Sequence, residues 1–174
     1  MSEIKYTVLE GNKLKVENLS NRNIIFRNFS GRPSQYNKNG DLKFTLVINE
    51  PETAQKLASH GWNVKCKPPK NEGDEPFCTL DVKIRLDLEW ARPKIKMFTR
   101  TGSVWINEDN IKLFDDAEFE TVDLVLRQYA WKNGRGESGV SAQLSEMYAR
   151  IAEGVLEAKW AEEAGPGDDE EAPF

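Results

Sequence analysis

The strict alternation of residues 80–88 constrains the fold of this chain more than any other feature of the sequence. Apolar side chains occupy every second position from Leu80 to Leu88, and charged side chains occupy the positions between them. Successive side chains of a strand point to opposite faces of a sheet, so this pattern predicts a strand with one buried and one solvated face. By composition and period, further strands are predicted at 22–29, 42–48, 94–99, 103–106 and 119–131.

Two segments are predicted as helices. Pro51 suits a first helical turn, Ala54 and Leu57 share one face, and Gly61 ends the segment. Towards the end of the chain, apolar residues recur at intervals of four, four, three and four, which predicts an amphipathic helix over 140–160. The residues of that series are Val140, Leu144, Tyr148, Ile151 and Val155.

These elements predict a mainly β fold. Strands and helices do not alternate regularly, which argues against a parallel, doubly wound sheet. Short alternating strands joined by long polar loops instead favour an OB-like antiparallel barrel with loop insertions, one short helix and a C-terminal helix. We expect an N-terminal extension over 1–21, the OB-like domain over 22–160 and a disordered acidic tail over 161–174.

The charge of the chain is split between a body and a tail. The last fourteen residues carry six acidic side chains and no basic one, and without them the net charge of −5 becomes +1. A segment so rich in charge, Gly and Pro cannot offset its ordering entropy, which predicts disorder. Because it ends on Phe174 after Pro173, a partner-docking peptide is predicted, with acidic residues Asp168, Asp169, Glu170 and Glu171 for a basic rim.

Several classes of protein are disfavoured by composition. No apolar run approaches the length of a transmembrane helix, and no secretory signal pattern is present. His60, Cys66 and Cys78 are too few and too scattered for a structural zinc site or a histidine-dependent nucleophile. We therefore expect no metal and no other cofactor, a cytoplasmic location without membrane contact, and both cysteines reduced.

A glycine motif and an acidic cluster each suggest a different chemistry. Residues 134–139 match the pattern G-x-G-x-x-G, but no second strand follows to close a dinucleotide-binding unit. A flexible strand-to-helix connection, or a phosphate contact through backbone amides and Arg135, fits better. Asp115, Asp116 and Asp123, with Glu118 and Glu120 nearby, offer a magnesium site for a small nuclease. A solvated acidic face is the simpler interpretation.

The remaining signal is a mixture of cationic and aromatic residues on predicted polar faces. Arg127, Tyr129 and Trp131 share the face of strand 119–131 that lies opposite its aliphatic residues. Rings that stack on bases and cations that follow phosphates are what unpaired nucleic acid requires. For Trp62 and Phe44 the core is favoured, because they share a face with aliphatic residues. The predicted nucleic-acid-binding residues are Arg27, Arg32, Tyr36, Lys38, Lys65, Lys67, Lys83, Arg85, Arg127, Tyr129, Trp131, Lys132 and Arg135.

Four stretches occur in a recognisable order ahead of the acidic tail: FRNFSGRPSQYNKNGDLKFTLVIN, PETAQKLASHGWNVK, VKIRLDLEWARPKIKMF and YAWKNGRGESGVSAQLSEMY. Together with the tail, they resemble phage-encoded single-stranded DNA-binding proteins. The resemblance implies an OB-fold that binds single strands without sequence preference during phage replication or recombination and recruits partner proteins through its tail. It implies no enzymatic activity. The chain departs from bacterial members in its longer inter-strand segments, which leaves a monomer or a homodimer open. The alternatives are the small nuclease and a protein-only adaptor.

Overall fold

A computed structural model describes residues 4–33, 35, 40–69, 71, 73, 76–87, 89 and 92–152. The described residues form ten strands, one α-helix and two short 3-10 helices at Asn21–Asn23 and Ile111–Asp115. The strands are β1 (Lys5–Leu9), β2 (Lys13–Leu19), β3 (Ile24–Asn28), β4 (Leu42–Ile48), β5 (Lys65–Lys67), β6 (Phe77–Ile84), β7 (Lys94–Phe98), β8 (Ser103–Trp105), β9 (Phe119–Lys132) and β10 (Ser138–Ile151). The helix, α1, spans Pro51–Ser59. The predicted mainly β fold is confirmed.

All ten strands belong to one mixed sheet. Its main path runs β1-β2-β9-β10-β6-β4-β3, while β5 pairs with β6, β7 pairs with β10, and β8 pairs with β7. The β10–β6 and β10–β7 pairs are parallel, and the other pairs are antiparallel. Within the described residues the path ends at β1 and β3 without closing. The prediction of an antiparallel barrel is therefore corrected to an open, mixed sheet.

The C-terminal helix predicted over 140–160 is wrong for residues 140–151, which belong to strand β10. The β9–β10 register shifts between Leu144 and Glu146, so β10 contains a bulge. Ala142 and Leu144 are buried before the bulge, and Met147, Ala149 and Ile151 are buried after it. One extra residue thus moves the buried set from even to odd positions, which imitates helical spacing. Residues 153–160 lie outside the described part of the chain.

Residues 5–19, which the sequence set apart as an N-terminal extension, form β1 and β2. Strand β2 pairs with β9 through a register that includes Leu14 opposite Leu126 and Val16 opposite Leu124. Leu14, Val16 and Leu19 are fully buried. The hairpin is therefore part of the same sheet and contributes to its core.

The core lies on one face of the sheet and is capped by α1 and by the 3-10 turn at Ile111–Asp115. A chain of rings crosses it: Phe29 stacks on Phe44 with centroids 5.5 Å apart, and Phe114 meets Phe29 edge-on at 5.4 Å. Such pairs add stability beyond the area that they bury. Trp62 is also buried, so the core assignment of Phe44 and Trp62 is confirmed.

The two cysteines, which were expected to be reduced, form a disulfide. Cys66 of β5 lies directly opposite Cys78 of β6 in the antiparallel register, with their Cα atoms 4.0 Å apart. The bond ties the three-residue strand β5 to the sheet.

In the described part of the chain, α1 is far too short to span a bilayer, and no helix there has the required apolar length.

Candidate nucleic-acid interface

The face of the sheet opposite the core, here called the outer face, is built by the second set of alternating residues. On β9 the side chains of Val122, Leu124 and Leu126 are buried, so the odd-numbered positions from 121 to 131 point the other way. Residues that are directly paired across strands share a face. The strand registers therefore identify which side chains of the neighbouring strands belong to the outer face.

A row of polar side chains crosses five strands of this face. Lys13 of β2 pairs with Arg127 of β9, Arg127 pairs with Gln143 of β10, and Gln143 pairs with Lys83 of β6. Lys43 of β4 then pairs with Lys83. Neighbouring strands lie about 4.8 Å apart, so four cations fall on one short line across the sheet. We call Lys13, Arg127, Gln143, Lys83 and Lys43 the cationic row.

Gln143 supports the middle of the cationic row. It is 2% exposed, and its Oε1 accepts a hydrogen bond from Arg127 Nη2 at 2.7 Å. This bond holds the guanidinium against the sheet. Lys83 lies 4.0 Å from Asp41, a contact between exposed groups that is worth little in water. Lys83 and Asp41 therefore neutralise each other only weakly.

Two exposed rings continue the outer face towards the β9–β10 turn. Tyr129 pairs with Ser141 and Trp131 pairs with Gly139, and each ring is 38% exposed. A Cβ atom built on Gly139 would lie 2.7 to 3.0 Å from atoms of the Trp131 indole, so the ring rests on the glycine backbone. We call Tyr129 and Trp131 the tip rings. Lys132 and Arg135 are exposed next to them.

The glycine motif forms the turn of this β hairpin, which corrects the predicted strand-to-helix connection. Asn133 Oδ1 accepts hydrogen bonds from the backbone amides of Arg135 at 2.9 Å and Glu137 at 3.1 Å. Because β10 rather than a helix follows the turn, the segment has no helix N-terminus to hold a dinucleotide phosphate.

Three other predicted site residues lie near the same face, and two of them, Lys65 and Arg85, have acidic partners. Lys65 Nζ lies 3.6 Å from Asp81 Oδ2, and both side chains are mostly exposed. Arg85 donates to both carboxylate oxygens of Asp87 at 3.1 and 3.0 Å. This hydrogen bonding lowers the pKa of Asp87 and raises the pKa of Arg85. Lys67 is exposed on β5.

Arg27, predicted to bind nucleic acid, is instead directed into the protein. Its guanidinium donates to the carbonyl oxygens of Ile24 at 3.0 Å, of Phe114 at 3.4 Å and of Ala117. It also lies over the Phe119 ring, 4.5 Å from the centroid. Burial lowers the pKa of Arg27, while Asp115 and Asp116 oppose that shift. A bulge between Ile25 and Asn28 turns the side chain inward.

The remaining predicted residues are not brought into the row. Arg32 is exposed beside that bulge, where its backbone amide donates to Asn28 Oδ1 at 2.7 Å. Tyr36 and Lys38 lie outside the described residues, as do the tail residues Asp168, Asp169, Glu170, Glu171, Pro173 and Phe174.

The acidic cluster proposed as a nuclease site does not converge. Asp115 accepts hydrogen bonds from the backbone amides of Phe29 at 2.6 Å and Ser30 at 3.2 Å. Asp123 accepts one from the Asn18 amide at 2.9 Å. Both carboxylates therefore bind backbone amides of neighbouring segments, and the described residues contain no group of three His, Cys, Asp or Glu side chains that could hold a metal ion.

Sequence reasoning missed Lys13, Lys43 and Gln143. Lys13 belongs to a short alternating segment in which Leu14 and Val16 are buried, so period two marks it as outward-facing. Its pairing with Arg127 joins residues 114 positions apart and depends on strand order, which no local pattern contains. Gln143 was assigned to a helix, and this hid its place between Arg127 and Lys83.

Cations in a row with exposed rings beside them, on one solvent-facing sheet surface, are the features that proteins use to bind single-stranded nucleic acid. Residues 1–171 match the family model described as "Putative phage ssDNA-binding domain". The chain belongs to this family, as the resemblance implied.

Solved structures of phage proteins share the fold. The single-stranded DNA-binding protein from bacteriophage Enc34 is 11% identical, with a TM-score of 0.52 over 88% of this chain and 92% of that chain. The same Enc34 protein in complex with ssDNA is 12% identical, with a TM-score of 0.51 over 88% of this chain and 95% of that chain. No curated protein sequence matches this chain.

Proposed function

We propose that this protein binds single-stranded DNA without sequence preference, on the outer face of its sheet. The observation that carries the proposal is the cationic row beside the tip rings, on one continuous face of β9 and β10. Membership of the phage ssDNA-binding family supports the same function. The Enc34 relative with the same fold was solved with ssDNA, which agrees with this choice of ligand.

The chemistry of the face explains the lack of sequence preference. Every base has a π face, so stacking on Tyr129 or Trp131 contributes roughly 1–3 kcal/mol per base whatever the base is. Lys13, Lys43, Lys83 and Arg127 meet phosphates, which carry no sequence information. We assign no catalytic role to any residue, since binding and release are all that such a surface performs.

The biological role follows from the ligand. Unpaired DNA arises during phage replication and recombination, and we propose that the protein protects it there, in the cytoplasm of the host cell, as a monomer or a homodimer. The acidic residues near the end of the chain are proposed to dock on basic surfaces of replication or recombination proteins. They also make the tail a competitor of DNA for the cationic row.

Fluorescence titration with oligo(dT) tests the proposed function. Trp131 is 38% exposed on the outer face, so quenching of tryptophan emission is expected on binding and should be smaller in a Trp131→Phe variant. Duplex DNA of the same length serves as the control. Equal affinity for duplex and single strand, or no binding at all, would contradict the proposal.

Removing residues 165–174 tests the role of the tail. Deletion of a competing polyanion should tighten oligo(dT) binding at low salt and have little effect at high salt, where the competition is screened. The matched control replaces the four acidic residues Asp168, Asp169, Glu170 and Glu171 with their amides and leaves the length unchanged. Unchanged or weaker binding by both variants would refute the competition and leave only the partner-docking role.

A further inference from the structure

A second group of rings and cations lies at the other end of β10. The parallel register places Tyr148 opposite Lys96 and Arg150 opposite Phe98. The antiparallel β7–β8 register then places Lys96 opposite Trp105. These pairings bring three strands together in one polar, ring-bearing area. We call Lys96, Phe98, Trp105, Tyr148 and Arg150 the distal patch.

The bulge in β10 keeps the distal patch on the outer face. Before the bulge, Gln143 pairs with Arg127, and after it Glu146 pairs with Val125 and Tyr148 pairs with Asp123. The β9 partners are all odd-numbered and so belong to the outer face throughout. Without the extra residue, Tyr148 and Arg150 would exchange places with the buried Met147 and Ala149. The tip rings, the cationic row and the distal patch therefore form one continuous surface.

The rings of the distal patch carry cations at close range. Lys96 Nζ lies 4.9 Å from the centre of the Trp105 indole and 5.6 Å from that of Phe98, and the Arg150 guanidinium lies 5.9 Å from Phe98. A cation within about 6 Å of a ring centre is attracted by the ring, so each contact holds a cation beside a ring. Trp105 is 49% exposed, more than either tip ring.

The charges that face the patch do not cancel it. Lys94, Lys96 and Arg150 share this end of the outer face with Glu146 and Asp123. Glu146 Oε1 accepts the Tyr148 hydroxyl at 3.1 Å, and Asp123 accepts the Asn18 amide. The three cations outnumber these two carboxylates, and Lys96 and Arg150 lie over rings. Core packing in this region is provided by Ile95, Met97 and Val104 on the opposite face, so it does not require an exposed Trp105.

We propose that the distal patch is a second base-stacking subsite, with Trp105 as its main ring and Lys96 as its phosphate contact. This inference rests on the proposed function and deepens it. The DNA strand then runs lengthwise along β10 from the tip rings, over the cationic row, to β8. Nine positions separate Gly139 from Tyr148, so at about 3.3 Å per residue the two subsites are roughly 30 Å apart.

This distance makes the effect of Trp105 depend on the length of the DNA. Site sizes of about 4–16 nucleotides are typical of related single-strand surfaces, so an oligo(dT) of about 4 covers one subsite and one of about 16 reaches both. For the longer oligonucleotide, Trp105→Ala should weaken binding about 5- to 10-fold, given the usual contribution of one stacked base. For the shorter one the loss should stay within about 2-fold, because the tip rings still bind it.

Three variants make the test decisive. Trp105→Phe keeps a ring and should retain most of the affinity. Val8→Ala is the control: it removes an exposed apolar side chain from β1, where Val8 pairs with the core residue Leu14 and so lies away from the outer face. Lys96→Gln should lower the slope of log affinity against log salt by about 0.7, whether or not the Trp105 variants fold well.

The outcomes separate the inference from the function on which it rests. Full affinity of Trp105→Ala for the long oligonucleotide, together with an unchanged salt slope in Lys96→Gln, would overturn the second subsite. The proposed function would still stand if Trp131→Ala lost affinity for oligo(dT). Failure of the unaltered protein to bind either oligonucleotide would overturn both.

Discussion

Arg27 on β3 and Arg127 on β9 are the same residue type in similar sequence surroundings, yet the two regions use them in opposite ways. Arg27 lies over Phe119, and its guanidinium N–H groups donate hydrogen bonds to backbone carbonyl oxygens inside the protein. Arg127 has a side-chain partner in Gln143 and lies in a row of cations on the outer face. The difference teaches that the acceptors around an arginine, more than its neighbours in sequence, decide whether its guanidinium lies inside the protein or on the outer face.

Replacing Arg27 with alanine should give the largest effect, and the effect should be on stability. The carbonyl oxygens of Ile24, Phe114 and Ala117 would lose their donor, which costs on the order of 3 kcal/mol of unfolding free energy. Urea unfolding measures this loss, and the folded fraction should bind oligo(dT) normally. A stable Arg27→Ala variant with weakened DNA binding would show that Arg27 belongs to the DNA-binding surface, and would contradict the structural role given to it here.

Replacing Trp131 should weaken DNA binding and leave the stability of the protein almost unchanged. Trp131→Ala is expected to weaken oligo(dT) binding about 10-fold, as loss of one stacked base implies, while thermal stability changes little because the ring is 38% exposed. Trp131→Phe provides the control that keeps an aromatic face. If the alanine variant unfolds instead, the ring is a structural element and the tip rings do not form a binding site.

Gly139→Ala tests the same ring without altering it. The added Cβ would lie less than about 3 Å from the indole, so Trp131 must move away from the outer face. We expect about a 5-fold loss of affinity and a shift of tryptophan emission, a smaller effect than removal of the ring. Gly134→Ala, in the same turn and with no atom within 4 Å of its Cβ, is the matched control. Equal behaviour of the two variants would show that the glycine backbone does not support the ring.

The sequence predicted local structure well where a strand keeps its period. Residues 80–84 and 122–127 alternate without interruption and lie in β6 and β9. The period fails at bulges, because one extra residue exchanges the two faces: the β10 bulge imitated a helix, and the β3 bulge turned Arg27 inward. The local sequence pattern predicted about half of the candidate site, namely Arg127, Tyr129, Trp131 and Lys83. The other half needed strand order, since Lys13 and Lys43 join the row through β9 and β6.

The most direct measurement of the central claim is the salt dependence of oligo(dT) affinity. If the four cations of the row each neutralise one phosphate, they account for a slope of about −3 in log affinity against log salt, and Lys43→Gln combined with Lys83→Gln should reduce its magnitude by about 1.4. The control combines Arg22→Gln and Lys56→Gln, two exposed cations of the helical segments. A slope that falls with the first pair and not with the second is the predicted result. Equal slopes in both double variants would contradict the assignment of the outer face as the DNA-binding surface.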